Sequence, residues 1–108
     1  MPTDVNETEL NNILKNSKGI VVIDFHATWC VPCKTLGPIF NELEKEFIEK
    51  ITFLKADIEQ CIETAKKYDL TSVPTVIIFR DSKKLGTIRG LRNKKFYQDE
   101  FAKILESK

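Results

Sequence analysis

The sequence contains no apolar run approaching the ~18 residues that a membrane-spanning helix requires. Its apolar stretches, such as Ile20-Val21-Val22-Ile23 and Val76-Ile77-Ile78-Phe79, have the length of strands. Neither charge is in excess: 17 Lys and Arg face 16 Asp and Glu, a formal net charge of +1. A balance of that kind selects neither nucleic acid nor a membrane surface as partner. Met1-Pro2-Thr3-Asp4-Val5-Asn6 has no basic flank and no apolar core, so no secretory signal is expected and the expected location is the cytoplasm. The four glycines form no dinucleotide-binding pattern, and no cofactor is expected. Three cysteines are too few, and odd in number, for the disulfide framework of a small secreted scaffold. Repeats, low-complexity tracts and internal linkers are all missing.

What is present fits one domain over residues 1–108, with 42% hydrophobic and 31% charged residues. Two of the cysteines lie close together in Trp29-Cys30-Val31-Pro32-Cys33-Lys34. A bridge between Cys30 and Cys33 closes only a tiny loop and so constrains the unfolded chain little. Chemistry explains the pair better than stability does.

The elements around this turn are legible. Asn6-Glu7-Thr8-Glu9 has the spacing of a capping box, and Leu10, Ile13 and Leu14 mark the apolar face of a helix ending at Ser17-Lys18-Gly19. Thr3 to Val5 allows a short extra strand. Ile20 to Phe25 is apolar on both alternating faces except at Asp24, as in a central strand covered on both sides. A second helix is expected from about Pro32, a residue suited to a first turn because its missing N–H would be unpaired there. Leu36, Ile39, Phe40, Leu43 and Phe47 form its core face, and Pro38 inside it should kink it. Ile51 to Asp57 reads as the next strand. Asp57 to Gln60 is expected to cap a short helix running to about Tyr68, with Ile62 and Ala65 inward. Val76 to Phe79 and Lys84 to Arg89 should pair as an antiparallel hairpin across Asp81-Ser82. Asn93 is a plausible cap for a last helix with Phe96, Tyr97, Phe101, Ile104 and Leu105 inward. This order gives an α/β fold, a central mixed sheet with helices on both faces.

The two-cysteine turn therefore sits where a strand ends and a helix begins. The unpaired N–H groups and dipole of that helix end favour an anion, so a thiolate at Cys30 is stabilised there. A thiolate is the species that attacks a disulfide sulfur. Cys33, three residues on, shares a helix face with Cys30 and can attack the mixed disulfide that results. Asp24 is an expensive residue for a buried strand and should have a raised pKa unless partnered. It lies beneath the turn as a candidate proton acceptor for Cys33, or else simply caps the following loop. Lys55 on the next strand is its natural charge partner, or a solvated strand residue.

Asp24-Phe25, Ala27, Trp29-Cys30, Pro32-Cys33-Lys34, Pro38, Asp57, Val73-Pro74-Thr75 and Gly90, in this order and spacing, resemble the thioredoxin family. The resemblance implies a thioredoxin fold and a protein-disulfide reductase, with Cys30 as nucleophile, Cys33 as resolving cysteine and the two as a redox-active disulfide. It implies that Asp24 is a buried acid–base group with Lys55 beside it. It implies a cis peptide at Pro74 and a substrate groove bordered by Trp29, Val31, Pro32, Val73, Pro74 and Gly90. A separate thioredoxin reductase would supply electrons, disulfide-bearing proteins would be the substrates, and the chain would act as a monomer.

Several positions depart from the family pattern. Val31 stands where glycine is usual, stiffening the turn and adding bulk beside the nucleophile. His26, the only histidine, is a packing residue or a titrating neighbour of the site. The hairpin turn Asp81-Ser82 lacks the usual glycine. Cys61 is a small buried hydrophobe or a regulatory or dimer-forming thiol. Arg89 and Arg92, near Gly90, are candidates for favouring acidic substrates. Two competing functions remain: a redox-inactive scaffold of this fold, and a zinc module using Cys30, Cys33, Cys61 and His26.

Overall fold

A computed structural model describes residues 1–107. The elements in chain order are β1 (Thr3–Asp4), α1 (Glu7–Asn16), β2 (Ile20–His26), α2 (Val31–Glu46), β3 (Ile51–Asp57), α3 (Ile62–Lys67), β4 (Thr75–Arg80), β5 (Lys83–Arg89) and α4 (Lys94–Glu106). The strands form one sheet in the order β1-β3-β2-β4-β5. β1, β3 and β2 are mutually parallel, while β4 and β5 run antiparallel to their neighbours. The mixed sheet expected from the sequence is the one observed.

Strand alternation divides the core in two. Ile20 and Val22 of β2, Ile51 and Phe53 of β3, Val76 and Ile78 of β4 and Ile88 of β5 point to one face. There they meet Leu36, Phe40 and Leu43 of α2 and Tyr97 and Phe101 of α4. Val21, Ile23, Phe25, Leu54, Ala56, Ile77 and Phe79 point to the other face, towards Leu10, Cys61 and Leu70. Because side chains repeat every second residue along a strand, Asp24 and His26 share the α2/α4 face with Val22. The ring of Phe40 packs edge-on against Phe53 at 5.8 Å and Tyr97 at 5.5 Å. Phe40→Ala is accordingly expected to cost about 3–5 kcal/mol, the usual range for emptying a buried aromatic site. A denaturant titration showing less than about 1 kcal/mol would mean that the site collapses around the truncation.

The caps expected for α1 and α4 are present. Asn6 Oδ1 accepts from Glu9 N–H at 2.8 Å while Glu9 Oε1 accepts from Asn6 N–H at 2.9 Å. Asn93 Oδ1 accepts from Phe96 N–H at 2.9 Å. α2 continues across Pro38 as one element. The hairpin keeps its two-residue turn without glycine: Asp81 and Ser82 both have positive φ, 50° and 69°. Left-handed backbone is costly for such residues, and outside bonds hold it. Asp81 exchanges hydrogen bonds with Gly19, its Oδ1 accepting at 2.8 Å and its N–H donating at 3.0 Å. Ser82 Oγ donates to Ser17 O at 3.1 Å.

α3 corrects the sequence reading. Asp57 Oδ1 accepts from Glu59 N–H, which closes a turn ahead of the helix rather than capping it. The cap comes from α1, where the Glu7 carboxylate accepts from Glu63 N–H at 2.7 Å and from Thr64 Oγ1 at 2.6 Å. That tie rotates Thr64 into the core and leaves Ile62 about half exposed, so Ile62 does not face inward. Ala65 packs at the edge of the core as expected.

Candidate active site

β2 ends beneath the two-cysteine turn. Residues 27–29 bridge to the helix, with Cys30 N–H donating to Ala27 O at 3.2 Å. Cys30 is the N-cap of α2 in extended backbone geometry, and its Sγ accepts from Cys33 N–H at 3.2 Å. Val31 and Pro32 follow as the first helical residues, so the missing proline N–H leaves no orphan donor. Cys30 and Cys33 are joined in a disulfide, with Cα atoms 5.3 Å apart. Trp29 and Val31 flank them with side chains largely exposed.

The other expected residues arrive from the far end of the chain. Val73 packs against the small cluster of Ala27, Cys30 and Cys33, and the Val73–Pro74 bond is cis. Pro74 O accepts from Gly90 N–H at 2.8 Å, and Gly90 has φ of +83°, a conformation that favours glycine. Trp29, Val73, Pro74 and Gly90 in the loops, with Val31 and Pro32 in the first turn of α2, thus all lie at one end of the sheet. The Arg92 guanidinium lies 5.1 Å from the centre of the Phe96 ring. Ile58, which the sequence reading did not single out, packs against the cysteines beside Val73.

Beneath the turn lies a cavity of about 360 Å³ lined by Asp24, His26, Ala27, Thr28, Cys33, Lys34, Gly37 and Lys55. Cys33 opens onto it and Cys30 does not line it. Asp24 is almost wholly buried, and its Oδ1 has no hydrogen-bond partner among the described residues. Burial drives its pKa up to about 7, against the pull of Lys55 and with a further push from Asp4. The register explains both neighbours, because Lys55 sits opposite Asp24 across β2–β3 and opposite Asp4 across β1–β3. The sequence could not reveal Asp4, since only a two-residue strand brings it there. The sequence places Tyr97 on the inward face of the last helix but not beside Asp24. Burial, and after it the nearby Asp24 charge, pushes that phenol up to about 12, so it stays neutral.

The structure does not bring the four candidate zinc ligands together. Cys61 packs on the opposite face of the sheet, its Sγ 3.7 Å from Val5 O, away from Cys30 and Cys33. Among the described residues, no group of three His, Cys, Asp or Glu is arranged to hold a metal ion. No described helix is long and apolar enough to cross a membrane.

The thioredoxin family model matches residues 2–103, nearly the whole chain. The chain belongs to the thioredoxin family. Among curated relatives, a thioredoxin of Mycoplasmoides gallisepticum is 46% identical over 72% of this chain and 76% of its own. One from Bacillus subtilis is 35% identical over 88% and 91% respectively. Among solved structures, oxidised mitochondrial thioredoxin 3 from Saccharomyces cerevisiae superposes with a TM-score of 0.83 at 31% identity, covering 94% of both chains. Within this family the Cys30–Cys33 pair makes the chain a thiol–disulfide oxidoreductase that reduces disulfides and is recycled by a reductase. The scaffold and zinc readings are not favoured.

Proposed function

We propose that Cys30 is the attacking nucleophile, Cys33 the resolving thiol and Asp24 the base that serves Cys33. The observation that carries this division is an asymmetry. Cys30 Sγ sits at the helix N-terminus accepting the Cys33 N–H, whereas Cys33 faces the cavity that holds Asp24. Anion stabilisation belongs to the first position and proton removal to the second. In the reduced protein, the Cys30 thiolate attacks one sulfur of a substrate disulfide, forming a mixed disulfide and expelling the other sulfur as thiolate. Cys33 then gives its proton to Asp24 and attacks Cys30 Sγ. The Cys30–Cys33 disulfide forms, and the second substrate sulfur leaves as a thiolate. Two electrons have passed to the substrate. A separate thioredoxin reductase returns them, since the chain has no dinucleotide-binding pattern of its own.

Lys55 supports Asp24 by favouring its ionised form when the proton must be taken. Trp29, Val31, Pro32, Val73, Pro74 and Gly90 border the groove for protein substrates, with the exposed Trp29 and Val31 supplying apolar contact. The backbone of Val73, ahead of the cis proline, offers polar groups to an extended substrate segment. We assign the chain to the cytoplasm as a monomer acting in electron transfer to protein disulfides.

Alkylation separates these thiol roles. After reduction, iodoacetamide near neutral pH is expected to modify Cys30 about tenfold or more faster than Cys33. Cys61 should stay unmodified until the protein is denatured. It is fully buried, and burial with Glu7, Asp57 and Asp4 nearby pushes its thiol up to about 11. Peptide mapping that found Cys33 labelled first would reverse the assignment.

A further inference from the structure

His26 is two residues after Asp24 on β2, on the same face, and lines the same cavity. Its Nε2 is buried and has no hydrogen-bond partner among the described residues, and it lies 3.8 Å from Asp4 Oδ1. The His26 side chain is 19% exposed and that of Asp4 62%, so the pair marks where the cavity approaches solvent. Asp24 lies deeper, its own Oδ1 also unpartnered. A proton that Asp24 takes from Cys33 must leave before the next cycle. The protein groups between it and bulk water are the ones lining this cavity.

We propose that His26, oriented by Asp4, is the positioning residue that relays the Asp24 proton to solvent. The inference rests on the role of Asp24 as base proposed above. The cavity volume is enough for several waters at about 30 Å³ each, so the transfer runs along water from Asp24 to the His26 ring, whose buried Nε2 faces Asp4. Imidazole accepts the proton there, becomes imidazolium beside the Asp4 carboxylate, and releases it to bulk water. The cycle balances, with one proton in from Cys33 and one out to solvent. Histidine suits the task because it changes charge near neutral pH, where Asp24 also titrates. The charged and titratable groups facing it come from every neighbouring element. They are Asp4 on β1, Lys55 and Asp57 on β3, Asp24 on its own strand, and Lys34 and Cys33 on α2. This also gives the two-residue strand β1 a role, because its pairing with β3 is what sets Asp4 against His26.

The test is the multiple-turnover rate of disulfide reduction, coupled to saturating reductase, from about pH 5 to 9 in dilute buffer, with the single-turnover resolving rate measured beside it. His26→Gln is expected to slow turnover roughly tenfold and to be restored by added imidazole. His26→Phe, which keeps an aromatic body at the position, should be slowed and rescued in the same way. Asp4→Asn should shift the pH profile without abolishing turnover. Wild-type rates in both His26 variants would overturn the proposal. So would slowing that imidazole does not relieve, since that is the mark of a purely structural role. Asp24→Asn in the same assay separates the two readings. If it resolves at the wild-type rate, the base assignment itself fails. If it is slow while the His26 variants are normal, only the relay fails.

Discussion

Cys30→Ser is expected to reduce disulfide turnover to the background of the assay, and Cys33→Ser to leave a protein that reacts once and stops. The two outcomes differ because the thiols occupy different positions. Serine at residue 30 puts a hydroxyl where the helix terminus had favoured a thiolate, and an oxygen there cannot form the mixed disulfide at all. The Cys33 thiol remains, but it faces the Asp24 cavity rather than the exposed rim formed by Trp29 and Val31. In Cys33→Ser the Cys30 nucleophile is intact and still attacks, yet nothing displaces the bound partner. Mixed disulfides should therefore accumulate at one per molecule, be visible by mass spectrometry and disappear on treatment with dithiothreitol. Insulin reduction coupled to a thioredoxin reductase gives the turnover, and partner capture gives the trapped species. Multiple turnovers by Cys33→Ser, or capture by Cys30→Ser, would contradict the roles assigned here. Neither substitution touches the two large core clusters, so loss of fold does not account for either result.

The ease with which this site is read from sequence has a local cause. The strand before it, the proline at its helix start and the spacing of the cysteines are all determined by residues within about a dozen positions of each other. The cap of α1 and the cap of α4 are likewise local, and each sits where Asn6 and Asn93 indicate. What escaped depends on contacts distant in sequence. Glu7 caps α3 from 56 residues away, and no pattern in either segment signals it. Once Glu7 binds Thr64, the helix must turn Ile62 outward, against its hydrophobicity. The glycine-free hairpin is held by Gly19 and Ser17, more than 60 residues upstream. Asp4 reaches Lys55 only through the β1–β3 pairing. The cis bond at Pro74 was implied by family resemblance alone, because local sequence favours trans at most X-Pro bonds. Chemistry-bearing residues were legible, and the residues that tune them were not.

Asp24 shows how that tuning trades stability for chemistry, and Asp24→Asn should expose both sides at once. The carboxyl is buried between β3 and β4, and its pKa rises from 3.8 to about 7. The folded protein therefore holds this proton more tightly than the unfolded chain does. Below about pH 4 both states are protonated and the group is neutral in its effect. As pH rises, the unfolded chain releases its proton first, and stability falls steadily until the folded carboxyl also ionises near pH 7. Above that the penalty is complete. At 1.36 kcal/mol for each pH unit, the span from 3.8 to about 7 corresponds to about 4 kcal/mol. Asparagine keeps the shape and loses the titration. Its buried amide still wants partners, a cost of about 1–3 kcal/mol that does not change with pH. The signature is thus the pH dependence rather than the absolute difference. Relative to wild type, the variant should gain roughly 3–4 kcal/mol in urea denaturation of the oxidised form between about pH 4 and 8. In exchange, its resolving step near neutral pH should slow by about a hundredfold, the ordinary loss when a positioned general base is removed. A stability difference that stays flat across that pH range would mean the carboxyl is not the buried acid it is taken to be. A flat stability profile together with a normal resolving rate would remove Asp24 from the mechanism. The opposite pair of results would show that the fold gives up stability at this one position to keep a base beneath Cys33.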